Sequence, residues 1–298
     1  MNGASALGDF LRVRRAALQP GDVGLQHYGV RRVPGLRREE LALLAGVSAT
    51  YYSRLEQGLS TNASEAVIAS LARALNLTPD ERTHLFNLAR PGISPKRRVT
   101  AKPDQARPGT LRLINSITRT PAVVIGRRSE ILAWNDLGHR LVGGHLDFES
   151  PNRPVDRPNM TRMLFLDGHT RELYSRWQEE AVRAVSSLRV LGGKNPEDLE
   201  LTRLVGELTM KSTEFAKLWA KHPVENCVSG IKYMHHPEVG AVEVSFEVLT
   251  PPDESGHRIL MYTPEPGSAS EVALELLHRD NELTISADHR VARSLTRL

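Results

Sequence analysis

Cysteine is almost absent from this 298-residue chain: Cys227 stands alone, so no internal disulfide can form and a reducing compartment is expected. Aromatic residues are sparse, at 5 %. No apolar run approaches the roughly 18 residues of a membrane-spanning helix, and MNGASALGDFLRVRR has no continuous signal-peptide core. A disulfide scaffold and a membrane protein are therefore excluded, and a cytoplasmic location is expected. Catalytic motifs are missing too: there is no Gly-rich phosphate loop and no G-x-S-x-G elbow. An enzyme reading has no residues to name, so no catalytic residue and no cofactor is expected.

What is present is an ordinary globular composition, 40 % hydrophobic and 25 % charged, on a chain long enough for one large domain or two modest ones. The charge is divided unevenly. Up to Thr110 there are 16 Lys and Arg against 9 Asp and Glu, whereas the remainder carries 23 against 26. A basic module is thus joined to a mildly acidic one. The basic surface is either a solvated arginine-rich face or a footprint for phosphates, which attract Lys and Arg over long range.

Helical signals fill the first ninety residues. Leu7 to Leu18 reads as a helix with Leu7, Phe10 and Leu11 on one side. A Gly/Pro-rich stretch follows, and a second helix is expected from Arg37 through EELALLAG. Ser48 should cap a third helix and Ser64 a fourth. Thr78-Pro79-Asp80-Glu81 has the form of a capping box opening a fifth, to about Ala89. RPGISPKRRVTAKPDQARPG then has almost nothing to bury and reads as a linker. Beyond it the pattern becomes mixed α and β. AVVIG and EILAW suggest a strand hairpin, Asn135 a cap, and TRELYSRWQEEAVRAVSSLRVL one long amphipathic helix. Val242, Val244, Phe246 and Val248 alternate with polar residues between GIKYMHH and HRILMYT, the pattern of a three-stranded antiparallel meander. The expected organisation is an all-α five-helix domain over 1–90, a linker over 91–109, an α+β domain with an antiparallel sheet over 110–280, and a tail over 281–298.

The stretch LRREELALLAGVSATYYSRLEQG has a helix, a glycine-containing turn and a second helix, with Leu41, Ala42, Val47 and Leu55 able to form a small core between them. It resembles the helix-turn-helix of phage-repressor and XRE-type regulators. A finer resemblance covers nearly the whole chain. PGLRREELALLAGVS, FLDGHTRELYSRWQEEA, EFAKLWAKH, MHHPEVGAVEVSFEVL and MYTPEPGS are similar to the MmyB-like branch of those regulators. That resemblance implies a lambda-repressor-like helix-turn-helix domain followed by a PAS-like ligand-binding domain, for a fatty acid or a similar hydrophobic small molecule. The hairpin AVVIGRRSEILAWND is similar to the start of a PAS core.

In such a domain the second helix of the motif enters the major groove of double-stranded DNA and its first residues meet base edges. Those positions fall on Ala49, Thr50, Tyr51 and Arg54. Arg54 has the fork that spans the two acceptors of guanine. Ser48 caps the helix, and Tyr52 shares spacing with Leu55 and belongs to the core. Arg37 and Arg38 stand where related regulators often carry a Ser/Thr cap and Gln, and read as phosphate contacts. Arg31 and Arg32 either add phosphate contacts or sit in a solvated loop. The usual geometry of such modules implies a homodimer.

For the second domain, Trp134, Tyr174 and Trp177 are candidate ligand-lining aromatics, with Trp219 as further apolar surface. Asn159 and Arg162, three apart, could present an amide and a guanidinium to a carboxylate head. Arg162 could equally pair with a surface acid, and the domain could instead be a protein–protein interaction or dimerisation platform. His235 and His236 with Glu238 make a poor metal site, since adjacent residues on a strand face opposite ways. Cys227 reads as a buried filler.

Overall fold

The computed structural model describes residues 3–25, 35–60, 63–89, 104–195, 197–252 and 255–279. Arg31 and Arg32, most of the 91–109 linker and the 281–298 tail lie outside the described residues. The described parts form two compact units. One takes in Met1–Arg98 together with Arg183–Asn226, the other Val99–Val182 together with Cys227–Leu298.

The first unit opens with five helices: α1 (Gly3–Ala17), α2 (Arg38–Ala45), α3 (Ala49–Glu56), α4 (Glu65–Ala74) and α5 (Pro79–Ala89). Their ends follow local chemistry. Gly46, at φ 67°, terminates α2 in a left-handed conformation that costs glycine nothing. Ser48 Oγ accepts from Tyr51 N–H at 3.1 Å and starts α3. Thr78 and Glu81 form the expected reciprocal box, at 2.9 and 3.3 Å. At Arg37 there is no side-chain cap; instead Glu40 accepts from Arg37 N–H at 2.6 Å. Leu7, Phe10, Leu11, Leu41, Tyr52, Leu55, Ile68, Leu71 and Leu85 share one buried core, and Val47 is half-buried beside it. Helix α1 crosses the end of α3 so closely that a Cβ at Gly8 would meet the Glu56 carbonyl oxygen at 2.2 Å.

The second unit is built on a five-stranded antiparallel sheet in the order β2-β1-β5-β4-β3. Its strands are β1 (Ala122–Ile125), β2 (Ile131–Trp134), β3 (Ser229–His236), β4 (Gly240–Leu249) and β5 (Arg258–Thr263). The hairpin and the meander appear as expected, with Val242, Val244 and Phe246 buried and Glu243, Ser245 and Glu247 exposed. The β1–β5 pairing, with Val123 opposite Leu260, joins them into one sheet. On one face a cluster of Ala122, Val124, Leu132 and Ile259 packs with Ile114 of α6 (Pro108–Ser116).

Between the strands run α7 (Asp136–Gly143), α8 (Met160–Leu166), α9 (Gly168–Leu173), α10 (Trp177–Lys194), α11 (Leu199–Lys211) and α12 (Thr213–Ala220). The long helix expected from Leu173 to Leu188 is broken. Tyr174 instead pairs with Met234 in strand fashion, and Ser175 N–H donates to Tyr233 O at 2.9 Å. The edge of β3 offers backbone partners that the periodicity of apolar side chains does not reveal. Among the described residues, no helix is long and apolar enough to cross a membrane.

Asn135 ties β2, α6 and α7 together. Its Oδ1 accepts from Gly138 N–H at 2.8 Å and Ala122 N–H at 3.0 Å. Its Nδ2 donates to the carbonyls of Thr120, Ile117 and Ile114 at 2.8, 2.8 and 3.2 Å. Replacing Asn135 with alanine removes a helix cap and leaves buried backbone groups unsatisfied. A loss of roughly 2–4 kcal/mol of unfolding free energy is expected in urea denaturation. Asn135→Asp should recover only part of it, because a carboxylate keeps the acceptor and lacks the donor.

Candidate DNA-binding helix and ligand cavity

The surface of α3 divides its residues by role. Tyr52 and Leu55 are fully buried, while Thr50 and Arg54 are exposed on successive turns, with Ala49 and Tyr51 half-buried beside them. Ser48 uses its hydroxyl on the helix end. Arg37 is exposed at the start of α2. That face presents a fork donor and a hydroxyl to whatever lies against it, the chemistry that reads base edges in the major groove.

What holds α3 in place is a carboxylate that no sequence pattern announced. The Glu56 side chain is 1 % exposed. Arg15 of α1 donates to it from Nε and Nη2, both at 2.9 Å, and gives Nη1 to the Leu36 carbonyl at 2.7 Å. Arg38 of α2 donates Nε and Nη2 to the same carboxylate at 3.0 and 2.8 Å. The Tyr52 hydroxyl lies beside this group without a well-formed hydrogen bond of its own. Burial pushes the Glu56 carboxyl up, but Arg15, Tyr52 and Arg38 outweigh it and hold the group below the usual carboxylate range. Arg38 is therefore oriented by Glu56, with 42 % of its side chain exposed.

In the second unit a cavity of about 480 Å³ lies between the 146–158 segment and α8. Leu146, Met163 and Leu166 supply apolar wall, and Arg153, Arg157 and Arg162 supply guanidinium groups. Three carboxylates also border it. Asp147 pairs with Arg153 at 2.6 Å, Asp156 lies 3.8 Å from the same guanidinium, and Asp167 pairs with His145 at 2.7 Å. Arg157 donates to the carbonyls of Pro151 and Asp104, at 2.9 and 2.7 Å. Ser150 borders the cavity, and its hydroxyl is buried without a hydrogen-bond partner.

Of the five residues singled out for ligand contact, Asn159 and Arg162 border this cavity. Asn159 is 3 % exposed and already occupied: its Oδ1 caps α8 through Thr161 and Arg162 N–H, both at 3.0 Å, and its Nδ2 holds Arg128 O at 2.7 Å. Arg162 is exposed. Trp134, Tyr174 and Trp177 lie off the cavity wall. Trp134 donates to Phe148 O at 2.9 Å and packs on His139, so it braces the segment that forms the wall. Trp177 donates to Leu164 O at 2.8 Å under the Arg171 guanidinium. Tyr174 is 6 % exposed next to Lys232 of β3, which pairs with Glu180 in the interior. Ser150, Arg153 and Arg157 were not legible in the sequence, because SPNRPVDRPN has no helical or strand period. Its only signal was a pair of arginines four apart in a proline-rich loop.

His236 is bound at both ring nitrogens: Nδ1 accepts from Glu238 N–H at 3.2 Å, which makes Nε2 the donor to Arg140 O at 3.0 Å. Glu238 pairs with Arg140 at 2.7 Å. Among the described residues no His, Cys, Asp and Glu cluster is arranged to hold a metal ion. Cys227 is half-buried, more exposed than the filler role expected of it.

Two family models match the chain. One described as a helix-turn-helix domain covers residues 6–85, and one described as the MmyB-like transcription regulator ligand binding domain covers residues 106–277. No curated protein matches it. The second span includes Arg183–Asn226, which in the structure packs with the helix-turn-helix unit.

Glu56→Ala would leave two guanidinium groups around an empty site, and unfolding free energy in urea should fall by roughly 3–5 kcal/mol. The pH dependence has a definite sign. Because the Glu56 pKa is lowered in the fold, its contribution is complete above the ordinary carboxylate range. That contribution is lost as pH falls through the lowered value. Glu56→Gln should remove this part of the acid-induced loss of stability, seen as a flatter slope of unfolding free energy against pH.

Proposed function

Because the chain belongs to the MmyB-like transcription regulators and is a DNA-binding regulator with a ligand-binding domain, we propose that it reads a specific operator through α3. We further propose that its ligand is an anionic amphiphile, a fatty acid. On this reading Arg54 reads guanine, Thr50 and Ala49 meet neighbouring base edges, and Tyr51, Arg37 and Arg38 contact the backbone. The observation that carries it is the exposed Thr50–Arg54 face on a helix whose opposite side is locked by Glu56. A homodimer would place two such helices on half-sites about one helical turn apart.

The cavity supports the choice of ligand. Its volume lies within the range of small-molecule sites. Arg162 at the rim offers a guanidinium to a carboxylate, above the apolar wall of Leu146, Met163 and Leu166. Ligand alters operator affinity only to the extent that it binds the DNA-competent and incompetent states unequally.

Arg54→Ala should cost roughly 1–3 kcal/mol at the operator and relax preference at one position, measured by titration against a panel of operators. Equal loss on every sequence would instead make Arg54 a phosphate contact. Native mass spectrometry of the purified full chain should show a co-purifying fatty acid. Arg162→Ala should weaken rebinding to delipidated protein by about tenfold, the order expected for one hydrogen bond to a charged group. An empty protein that takes up no fatty acid would favour a domain that serves protein–protein contact.

A further inference from the structure

The helices of Arg183–Asn226 pack with α1 and α5 in one compact unit, and cations crowd the contact. Val224 belongs to the same apolar core as Phe10 and Leu85, and half-buried Val190 packs against it. Around them, Arg14 of α1 donates Nη2 to the His222 carbonyl at 2.7 Å and lies over the Phe10 ring at 5.2 Å. Arg189 of α10 lies 3.7 Å over the Trp219 ring and donates to the Trp219 carbonyl. His84 of α5 is 2 % exposed, edge-on to Phe10, and a Cβ at Gly193 would come within 2.6 Å of its ring. Asp80 of α5 accepts from Asn226 N–H at 2.9 Å.

The polar accounting in this contact is lopsided. Arg14 Nε, Arg189 Nε and His84 Nδ1 are all buried without a hydrogen-bond partner. The carboxylates around the group are Glu81, at 2.9 Å from Arg14, Asp9, which pairs with Arg12 at 2.9 Å, and Asp80, which holds Asn226 N–H. The guanidinium groups are otherwise met by aromatic rings and carbonyls, which tolerate a cation without neutralising it. A further proton in this space meets carboxylates that are already engaged.

We propose that this contact is a proton-sensitive latch: protonation of His84 and His222 releases the Arg183–Asn226 helices from α1 and α5. Both imidazoles are neutral in the closed contact. Burial is the main cause, and Arg189 and Arg14 add to it, with His222 adding further at His84, so His84 is held down at about 3 and His222 at about 4. For His222, Asp9 pulls the other way and Arg12 adds to the depression. Since the closed state binds protons less readily than the open one, closure is complete above the ordinary histidine value. It weakens as pH falls below that value. A histidine that titrates at 6.5 when open and at about 4 when closed favours opening by about thirtyfold at pH 5.

Hydrogen–deuterium exchange of the full chain at about pH 7.5 and about pH 5, corrected for intrinsic exchange, tests the latch. Amides of α11 and α12 should lose protection by about thirtyfold or more at the lower pH. The double variant H84L/H222N should keep it; asparagine suits the positive φ of 50° at His222. Unchanged protection in the native chain, or equal loss in the variant, overturns the proposal. Should the variant fail to fold, NMR titration of the native histidines decides the matter. Values below about 5 for both support the latch, and a value near 6.5 for either one overturns it.

Discussion

Three helices of the DNA-binding unit converge on one carboxylate. Glu56 sits at the end of α3, receives a bidentate grip from Arg15 of α1 and a second pair of hydrogen bonds from Arg38 of α2. A buried charge with unsatisfied lone pairs is costly, so only an arrangement bringing both guanidinium groups to it is tolerated. That requirement sets the angle of α3 against α1 and α2. It also explains why α1 approaches so closely at Gly8, and why Thr50 and Arg54 are left facing outward. The exposed face of α3 is thus a by-product of how the opposite face is paired.

The second unit uses the same device with a neutral group. Asn135 offers both an acceptor and a donor, and five backbone groups from β1, α6, α7 and the turn between α6 and β1 converge on it. Next to it, Trp134 and His139 brace the segment carrying Leu146 and Ser150. The cavity wall is therefore held from behind by side chains that do not line it. Trp134, conspicuous in the sequence, is a brace of this kind, while polar residues of an aperiodic loop border the cavity.

Local signals were legible wherever a residue acts within a few positions of itself. Ser48, Ser64, Thr78 and Asn135 cap the helices their spacing implied, Gly46 ends α2, and the alternation from Val242 to Phe246 gives a half-buried strand. Asn159 illustrates the limit. Its type and spacing with Arg162 drew notice for ligand contact, yet its amide is spent on the start of α8 and on Arg128 O. Nothing in a sequence shows which of an amide's partners will arrive first.

Composition, caps and periodicity by themselves determined that this chain has a basic module of five short helices, followed by an α+β module with a hairpin and a meander. These are short-range properties, written in propensity, capping and the placement of apolar side chains. Only the tertiary structure decided the rest. It decided that β1 pairs with β5, that Tyr174 leaves the helical path for the edge of β3, and that Arg183–Asn226 folds with the N-terminal helices. Each of those choices depends on partners that meet through space after long loops close. The free energy that selects them, from burial, paired charge and backbone hydrogen bonds, belongs to the assembled fold and to no local stretch of it.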